Sequence, residues 1–272
     1  EGNFDDCQNL VKSMFSDKDF SKLINMSGVN SINWARIIAQ AVYYFYSYFL
    51  SKSKQPMNFS VPTGNFGDVY AGYLAKKMGL PINRLVVATN QNDILHRAIL
   101  KGKYEVEKVF ETISPSMDVQ IASNFERLIY DLNNSNSSET KEIMNNIKKN
   151  GKYIITEEKI KKINKDFLSA SLNEKEVLDV IKLVYDKYKT ILDPHTAVGY
   201  GALSKVKLEG ISIVLATAHP SKFPEAINST IKIKPELPSE LKHVLDEKEN
   251  YDILSDNLDE IKKYIKSKLQ WN

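Results

Sequence analysis

A glycine-containing loop between a short apolar segment and a helical pattern constrains the fold of this chain most strongly. Residues 58–61 predict a strand, residues 69–78 predict a helix, and the glycine loop joins them as Val61-Pro62-Thr63-Gly64-Asn65-Phe66-Gly67-Asp68. Glycine lets a backbone approach a ligand closely, and the N–H groups and dipole of a helix N-terminus favour an anion. The glycine loop is therefore a candidate phosphate site. A plain strand-to-helix turn explains the same residues equally well.

A second strand–loop–helix pattern follows the first at close spacing. Residues 84–89 are a continuous apolar run, residues 90–93 are polar, and residues 94–101 predict a helix closed by Gly102. Two such units in succession predict an α/β fold with a parallel sheet, in which ligands lie at the carboxyl ends of the strands. An ATP-binding P-loop is disfavoured, because Tyr73 stands where that motif requires lysine.

Composition excludes several classes of function. The chain has 272 residues, 42% of them hydrophobic and 26% charged, which is typical of a globular protein. Its net charge of +3 comes from interspersed Lys and Glu, so we expect no nucleic-acid partner. The single Cys7 excludes an internal disulfide and favours a reducing, cytoplasmic location. We expect no metal site, and no apolar run reaches membrane-spanning length.

Three other stretches carry expectations about packing. The aromatic-rich helix predicted over residues 34–50 should be buried between layers. Residues 133–165 are rich in Asn, Ser, Lys and Glu and predict a peripheral insertion without chemistry, partly helical and mobile at 133–138. The charged tail predicts an outer helix over residues 254–269.

The stretch Asp193-Pro194-His195-Thr196 precedes a helix predicted over residues 197–206. Pro194 sets a rigid turn and Thr196 is a natural N-cap, so the residues alone favour a capping role for Thr196 over contact with a ligand. His219 follows an apolar strand predicted over residues 211–217. For both His195 and His219 a hydrogen-bonded structural role is expected, and contact with a ligand phosphate is the alternative.

Several stretches, in this order along the chain, resemble threonine synthase of the fungal and bacterial type. They are Glu1-Gly2-Asn3-Phe4-Asp5-Asp6-Cys7-Gln8, Asn30-Ser31-Ile32-Asn33-Trp34-Ala35-Arg36, the glycine loop, Ala88-Thr89-Asn90, Asn92-Asp93-Ile94-Leu95, Ser114-Pro115-Ser116-Met117-Asp118, Ser123-Asn124-Phe125-Glu126-Arg127-Leu128, Asp193-Pro194-His195-Thr196-Ala197-Val198-Gly199 and Ala216-Thr217-Ala218-His219-Pro220. The resemblance implies the parallel-sheet, three-layer α/β fold of the tryptophan synthase β-like (fold type II) enzymes, incomplete at the N-terminus. It implies that residues 1–30 end a smaller upstream domain and that residues 31–272 form the large domain.

The same resemblance implies a cofactor, a reaction and a set of site residues. The cofactor is pyridoxal 5'-phosphate (PLP), and the reaction converts O-phospho-L-homoserine and water to L-threonine and phosphate. Cofactor-binding residues carried over from the family are Gly64, Asn65, Phe66, Gly67, Asp68 and Thr196. Backbone N–H groups of the glycine loop would hold the cofactor phosphate, with Asp68 capping the helix. The Thr196 hydroxyl would face the pyridine nitrogen, and a neutral partner does not force that nitrogen to be protonated.

The chain departs from the family in one respect. The family's Schiff-base lysine, in a Phe-Lys-Asp context, and its Ser-Gly-Asp-Thr-Gly loop do not occur in this sequence. We therefore assign no catalytic residue and expect a C-terminal part, inactive alone, whose partner is the upstream segment of the same protein. Without that segment, apolar surface should be exposed. Another fold type II PLP lyase or synthase and a non-catalytic phosphate-binding remnant are the alternatives.

Overall fold

The computed structural model of the chain describes residues 4–28 and 33–269. Its helices are α1 (Phe4–Ser16), α2 (Lys18–Leu23), α3 (Trp34–Ser51), α4 (Gly67–Lys77), α5 (Ile94–Lys101), α6 (Phe125–Leu132), α7 (Ser137–Asn150), α8 (Glu157–Ile163), α9 (Glu174–Tyr188), α10 (Pro194–Ala202), α11 (Pro224–Ile231) and α12 (Leu258–Lys268). Its strands are β1 (Met57–Pro62), β2 (Ile82–Thr89), β3 (Lys103–Glu105), β4 (Lys152–Ile154), β5 (Phe167–Ser171) and β6 (Ser212–Val214). By their contacts, residues 30–237 form one compact unit, and residues 1–29 and 238–272 form a second.

The larger unit is built on a parallel sheet with the strand order β5-β2-β1-β6. Pro62 of β1 pairs with Ala88 of β2, and Ala88 pairs in turn with Ala170 of β5. The carboxyl ends of these strands therefore lie at one edge of the sheet. β1 and residues 85–89 of β2 are almost fully buried, as expected for strands covered on both faces. The parallel α/β fold predicted from the sequence is confirmed.

Helices cover both faces of this sheet, so the unit has three layers. On one face, Phe59, Val61, Leu85 and Val87 pack in a core with buried residues of α3, α4, α5 and α6. On the other face, Val86, Ala88 and Ala170 pack with buried residues of α9, α10 and α11. Successive residues of β2 alternate between the two cores because side chains along a strand point to opposite faces. The predicted three-layer arrangement is confirmed.

The segment between residues 133 and 171 is more ordered in its packing than its composition indicates. It contains α7, β4, α8 and β5, and β4 pairs with β3 in a two-stranded antiparallel sheet. Ile147, Ile155 and Ile163 are buried in the core of the larger unit. Sequence reasoning did not predict β5, which pairs with β2 at the edge of the parallel sheet. The absence of chemistry in residues 133–165 stays a prediction.

Helix α3 has one buried and one exposed apolar face. Ile37, Ala41 and Tyr44 are buried against the sheet side, whereas Val42 and Phe49 on the opposite side are 62% and 67% exposed. The expectation that this helix is buried between layers is therefore wrong. The aromatic run was misleading because it surrounds the helix, and only the spacing of the buried residues, three or four apart, identifies the packed face.

The smaller unit consists of α1, α2 and the tail. Phe20 of α2 is buried, and Lys262 of α12 both lies over its ring and forms an ion pair with Asp17 at 2.6 Å. Sequence reasoning did not predict that the tail groups with the first residues of the chain. The assignment of residues 1–30 and 31–272 to different domains of a larger enzyme stays a prediction. Within the described residues, no helix is both long and apolar enough to span a membrane.

Candidate functional site

The glycine loop turns at the carboxyl end of β1 and leads directly into α4. The Thr63 N–H donates to the Ala88 carbonyl of β2 at 2.8 Å, which extends the strand pairing by one residue. Phe66 then adopts a left-handed conformation with φ of 71°. This conformation costs a non-glycine residue about 1–2 kcal/mol. The Phe66 ring is fully buried against Phe125 and Phe167, and this burial offsets the cost.

Both glycines of the loop are closely packed, and Gly64 more tightly than Gly67. A Cβ atom on Gly64 would lie 2.6 Å from the Ser116 carbonyl oxygen and 3.3 Å from the Met117 Cα. A Cβ atom on Gly67 would lie 3.0 Å from the Asn65 Oδ1 and 3.3 Å from the Asn124 Nδ2. The Asn65 Oδ1 accepts a hydrogen bond of 2.9 Å from the Gly67 N–H. A side chain at position 64 would push the loop away from the backbone of residues 116 and 117. One at position 67 would require the neighbouring side chains to shift by a few tenths of an ångström.

The turn that packs on Gly64 is fastened to the end of β2. The Asn90 Nδ2 donates to the Asp118 Oδ1 at 2.7 Å and to the Ser114 Oγ at 2.9 Å. The Asn92 Nδ2 also donates to the Asp118 Oδ1, at 2.9 Å. The polar residues that follow β2 therefore hold residues 114–118 at the carboxyl edge of the sheet.

Helix α10 begins at the same edge, with Asp193 as its N-cap. The Asp193 Oδ1 accepts from the His195 N–H at 2.9 Å and from the Thr196 N–H at 3.3 Å, and Pro194 occupies the first helical position. The prediction that Thr196 caps this helix is wrong. Thr196 lies within the first turn, because Asp followed by Pro is itself a strong helix start.

The Thr196 hydroxyl is bound on two sides. It donates to the Asp193 Oδ2 and accepts a hydrogen bond of 3.0 Å from the Thr217 N–H. The Ala218 N–H donates to the same Asp193 Oδ2 at 3.3 Å. Burial raises the pKa of Asp193, but hydrogen bonds from His195 and Thr196 outweigh it, and the pKa lies below its ordinary value. Asp193 is therefore a buried carboxylate.

His195 joins α10 to the turn that packs on the glycine loop. Its Nε2 accepts from the Ser116 N–H at 3.3 Å, so the ring proton is on Nδ1, which donates to the Asp193 Oδ1 at 3.1 Å. Ser116 thus contacts Gly64 on one side and His195 on the other. The structure brings together the glycine loop and Thr196, the two parts of the site that are far apart in the sequence.

Asp68 does not cap α4, contrary to expectation. The N-cap residue is Phe66, and no side-chain hydrogen bond caps the helix. The Tyr44 hydroxyl lies 2.8 Å from the Asp68 carbonyl oxygen and 3.0 Å from its Oδ1, and donates to this pair. Burial raises the pKa of Asp68 to about 6, and the hydrogen bond from Tyr44 limits this increase.

The other candidate histidine lies apart from this network. His219 is exposed and caps the short turn 220–222, with its Nδ1 2.7 Å from the Ser221 Oγ. The backbone N–H groups of Thr217 and Ala218 donate to Thr196 and Asp193, respectively. His219 therefore directly follows two residues of the site in the sequence. Both His195 and His219 are hydrogen-bonded. A ligand role for either stays a prediction.

The arrangement is chemically suited to an anionic, heteroaromatic ligand. The N-terminus of α4 offers backbone N–H groups, and Asp68, the acid of the loop, is turned towards Tyr44. The Asn124 Nδ2, beside Gly67, is buried and has no hydrogen-bond partner among the described residues. The Thr196 hydroxyl offers a polar atom for a ring nitrogen. The chemistry of these donors suits a ligand that carries both a phosphate and a ring nitrogen, as PLP does.

Sequence reasoning missed three residues of the site: Asp193, Ser116 and Tyr44. The Asp-Pro pair at the start of α10 is a recognisable helix-start signal and could have identified Asp193. Nothing local marks Ser116 or Tyr44, because their partners are 79 and 24 residues away in the sequence.

Comparison with known proteins places this chain beside threonine synthases. The family model described as "Threonine synthase, C-terminal" matches residues 196–265. The chain is 42% identical to threonine synthase of Pseudomonas aeruginosa over 269 residues, covering 97% of this chain and 57% of that protein. It is 45% identical to threonine synthase of Saccharomyces cerevisiae over 270 residues, covering 89% of this chain and 52% of that protein.

Solved structures agree with the sequence matches. PLP-bound threonine synthase from Brucella melitensis superposes with a TM-score of 0.91 at 43% identity, covering 100% of this chain and 59% of that chain. Yeast threonine synthase gives 0.85 at 40% identity, covering 98% and 58%. The chain thus spans about half the length of the relatives it matches. The resemblance carried by the motifs and the fold class expected from it are confirmed.

Proposed function

We propose that this chain is the C-terminal part of a PLP-dependent threonine synthase, which converts O-phospho-L-homoserine and water to L-threonine and phosphate. The observation that carries this proposal is the match over 100% of the chain, at 43% identity, to a threonine synthase structure that contains PLP. The ordered motifs at the carboxyl edge of the sheet support it, because ligands of open α/β sheets bind at that edge.

The glycine loop would hold the cofactor phosphate. Backbone N–H groups of Gly64, Asn65, Phe66, Gly67 and Asp68 would supply donors at the N-terminus of α4, where the helix dipole favours an anion. The Gly67 N–H would exchange its present bond to the Asn65 Oδ1 for one to the phosphate. The fixed turn at Phe66 and the contact of Gly64 with Ser116 hold these donors in place before the ligand arrives. Such preorganisation lowers the entropic cost of binding.

Thr196 would face the cofactor ring nitrogen. Its hydroxyl is held by Asp193 and Thr217, so its position is fixed by the fold rather than by the ligand. When bound, PLP supplies an electron sink for bonds broken in the substrate. The residues of this chain bind and orient that group and set the electrostatics around its ring.

We further propose that the chain alone turns over no substrate. The sequence contains no Phe-Lys-Asp lysine and no Ser-Gly-Asp-Thr-Gly loop. In this class of chemistry a lysine bonds to the cofactor and moves protons. The partner that completes the site would be the upstream segment of the same protein, and a cytoplasmic location stays a prediction.

Phosphate release from O-phospho-L-homoserine tests the function. The natural protein that contains this chain is assayed with and without added PLP, and threonine is measured in parallel. We expect PLP-dependent release of phosphate with equal formation of threonine. Release of another product, or none with PLP bound, would indicate a different fold type II enzyme, and failure to bind PLP would indicate a non-catalytic remnant.

The chain of residues 1–272, assayed alone under the same conditions, tests its predicted inactivity. We expect no phosphate release by this chain and restored release when the upstream segment is present. Turnover by residues 1–272 alone would overturn the proposal that the upstream segment is required.

A further inference from the structure

We propose that Asp193, acting through the Thr196 hydroxyl, keeps the ring nitrogen of bound PLP protonated. This inference rests on the proposed function, since it assumes that Thr196 faces that nitrogen. It assigns to Asp193 a positioning role that the sequence did not reveal. It also reverses the expectation that a neutral hydroxyl leaves the nitrogen free of a proton.

The Thr196 hydroxyl can offer a ligand only a hydrogen-bond acceptor. A hydroxyl has one proton to donate and two lone pairs that accept. Its proton is directed to the Asp193 Oδ2, and one lone pair is taken by the Thr217 N–H at 3.0 Å. What remains for a ligand is an acceptor. A ring nitrogen that meets an acceptor must itself carry a proton to form a hydrogen bond.

The side chain of Asp193 is surrounded by hydrogen-bond donors. Its two oxygens accept from the N–H groups of His195, Thr196 and Ala218 and from the His195 ring, as well as from the Thr196 hydroxyl. Because every one of these partners donates a hydrogen bond, the Asp193 side chain is stabilised as an unprotonated carboxylate. The pKa of Asp193 lies below its ordinary value, in agreement with this count.

The tautomer of His195 fixes Asp193 as a hydrogen-bond acceptor in this network. Its Nε2 accepts from the Ser116 N–H, which leaves Nδ1 as a donor to Asp193. Asp193 and His195 are only 1% and 2% exposed, so water does not readily replace these partners. The negative charge of Asp193 is therefore fixed one hydroxyl away from the ligand, where it stabilises a positive charge on the ring.

The consequence concerns the strength of the electron sink. A protonated pyridine ring withdraws electrons more strongly than a neutral ring. The relay thus lets a threonine at this position have the electronic effect of an acidic residue, while the carboxylate itself stays buried behind it. It suits a reaction in which charge must be stabilised on the substrate through more than one bond-breaking step.

The test is the ¹⁵N NMR resonance of PLP labelled at its ring nitrogen and bound to the natural protein that contains this chain. Free PLP at low and high pH supplies the protonated and unprotonated reference positions. We expect the bound nitrogen at the protonated position. A resonance at the unprotonated position, with PLP bound, overturns the inference and leaves the proposed function intact.

Two variants test the relay itself. Asp193→Asn keeps the shape but places a donor beside Thr196, so the hydroxyl proton turns to the ligand and the resonance should move to the unprotonated position. Thr196→Val removes the hydroxyl and should also move the resonance to the unprotonated position. Thr196→Ser keeps a hydroxyl and should leave the resonance at the protonated position. A protonated resonance in either Asp193→Asn or Thr196→Val would overturn the inference.

Asp131→Asn is the matched control. Asp131 is a half-buried carboxylate of the larger unit, paired with Lys77 at 3.1 Å, and lies outside the site. We expect it to leave the resonance at the protonated position. A shift as large as that of Asp193→Asn would overturn the local role of Asp193. If the natural protein binds no labelled PLP, the proposed function fails and this inference fails with it.

Discussion

Replacing Gly64 with alanine should disturb the candidate site through a single methyl group. The backbone of Gly64 has ordinary, non-left-handed dihedral angles, so the substitution introduces no conformational strain of its own. Its Cβ atom, however, would lie 2.6 Å from the Ser116 carbonyl oxygen and 3.3 Å from the Met117 Cα. Both are backbone atoms, so no side-chain rotation can relieve the contact.

The size of the effect follows from this distance. Carbon and oxygen atoms in weak C–H···O contacts lie about 3.3–3.6 Å apart, so the loop and the turn must separate by roughly 0.7 Å or more. Overpacking of this kind costs about 1–3 kcal/mol. Because about 1.4 kcal/mol corresponds to tenfold in affinity, a cost of this size borne by the ligand-binding loop should weaken PLP binding by about 5- to 100-fold. The separation also strains the 3.3 Å bond between the Ser116 N–H and His195.

Fluorescence titration with PLP and urea unfolding of the same samples measure the two effects separately. Gly79→Ala is the control, because nothing lies within 4 Å of its Cβ position while its φ of +101° makes alanine unfavourable. We expect Gly79→Ala to lower the free energy of unfolding by about 1–3 kcal/mol without changing PLP affinity.

Unchanged PLP affinity in Gly64→Ala, with normal stability, would refute the assignment of the glycine loop. Equal loss of affinity in Gly79→Ala would show that binding reports on general stability. Weaker binding in Gly64→Ala alone would support a phosphate site built on the packing of the loop against Ser116.

Three further substitutions test the surroundings of the loop. Tyr44→Phe removes the donor to the Asp68 carbonyl and carboxylate, and should lower the unfolding free energy by about 1–3 kcal/mol in urea titrations; unchanged stability would contradict it. Burial raises the pKa of Asp68 from 3.8 to about 6, so the folded state binds the Asp68 proton more tightly than the unfolded state. Proton binding at Asp68 therefore contributes to stability fully below pH 3.8, and this contribution is lost as the pH rises to about 6. At about 1.4 kcal/mol per pKa unit, the shift of Asp68 corresponds to about 3 kcal/mol. Asp68→Asn should therefore be more stable than the wild type by up to about 3 kcal/mol at pH 7.5, and equally stable at low pH. The same stability difference at both pH values would argue against the pKa shift. Gly72→Ala would place its Cβ atom 2.5 Å from the Tyr44 ring, and should lower the midpoint of urea unfolding although alanine is the better helix former; a raised midpoint would show that the ring can move.

Local signals in the sequence predicted most elements around the site. The apolar runs before the glycine loop and before residue 90 are β1 and β2, and Gly102 ends α5 in the left-handed conformation expected of a C-cap. These features depend on interactions within a few residues. Strand β5 was missed because it is short and adjoins a polar segment, and its place is decided by pairing with β2.

The sequence by itself determined the parallel α/β fold, the position of the glycine loop at the carboxyl end of a strand, and the order of motifs that resembles threonine synthases. Only the tertiary structure decided what those motifs contact. It placed Ser116 between Gly64 and His195, turned Asp68 towards Tyr44, and put the carboxylate of Asp193 behind the Thr196 hydroxyl. Strands and turns are specified by local periodicity, whereas hydrogen bonds between residues far apart in the sequence exist only once the layers have packed.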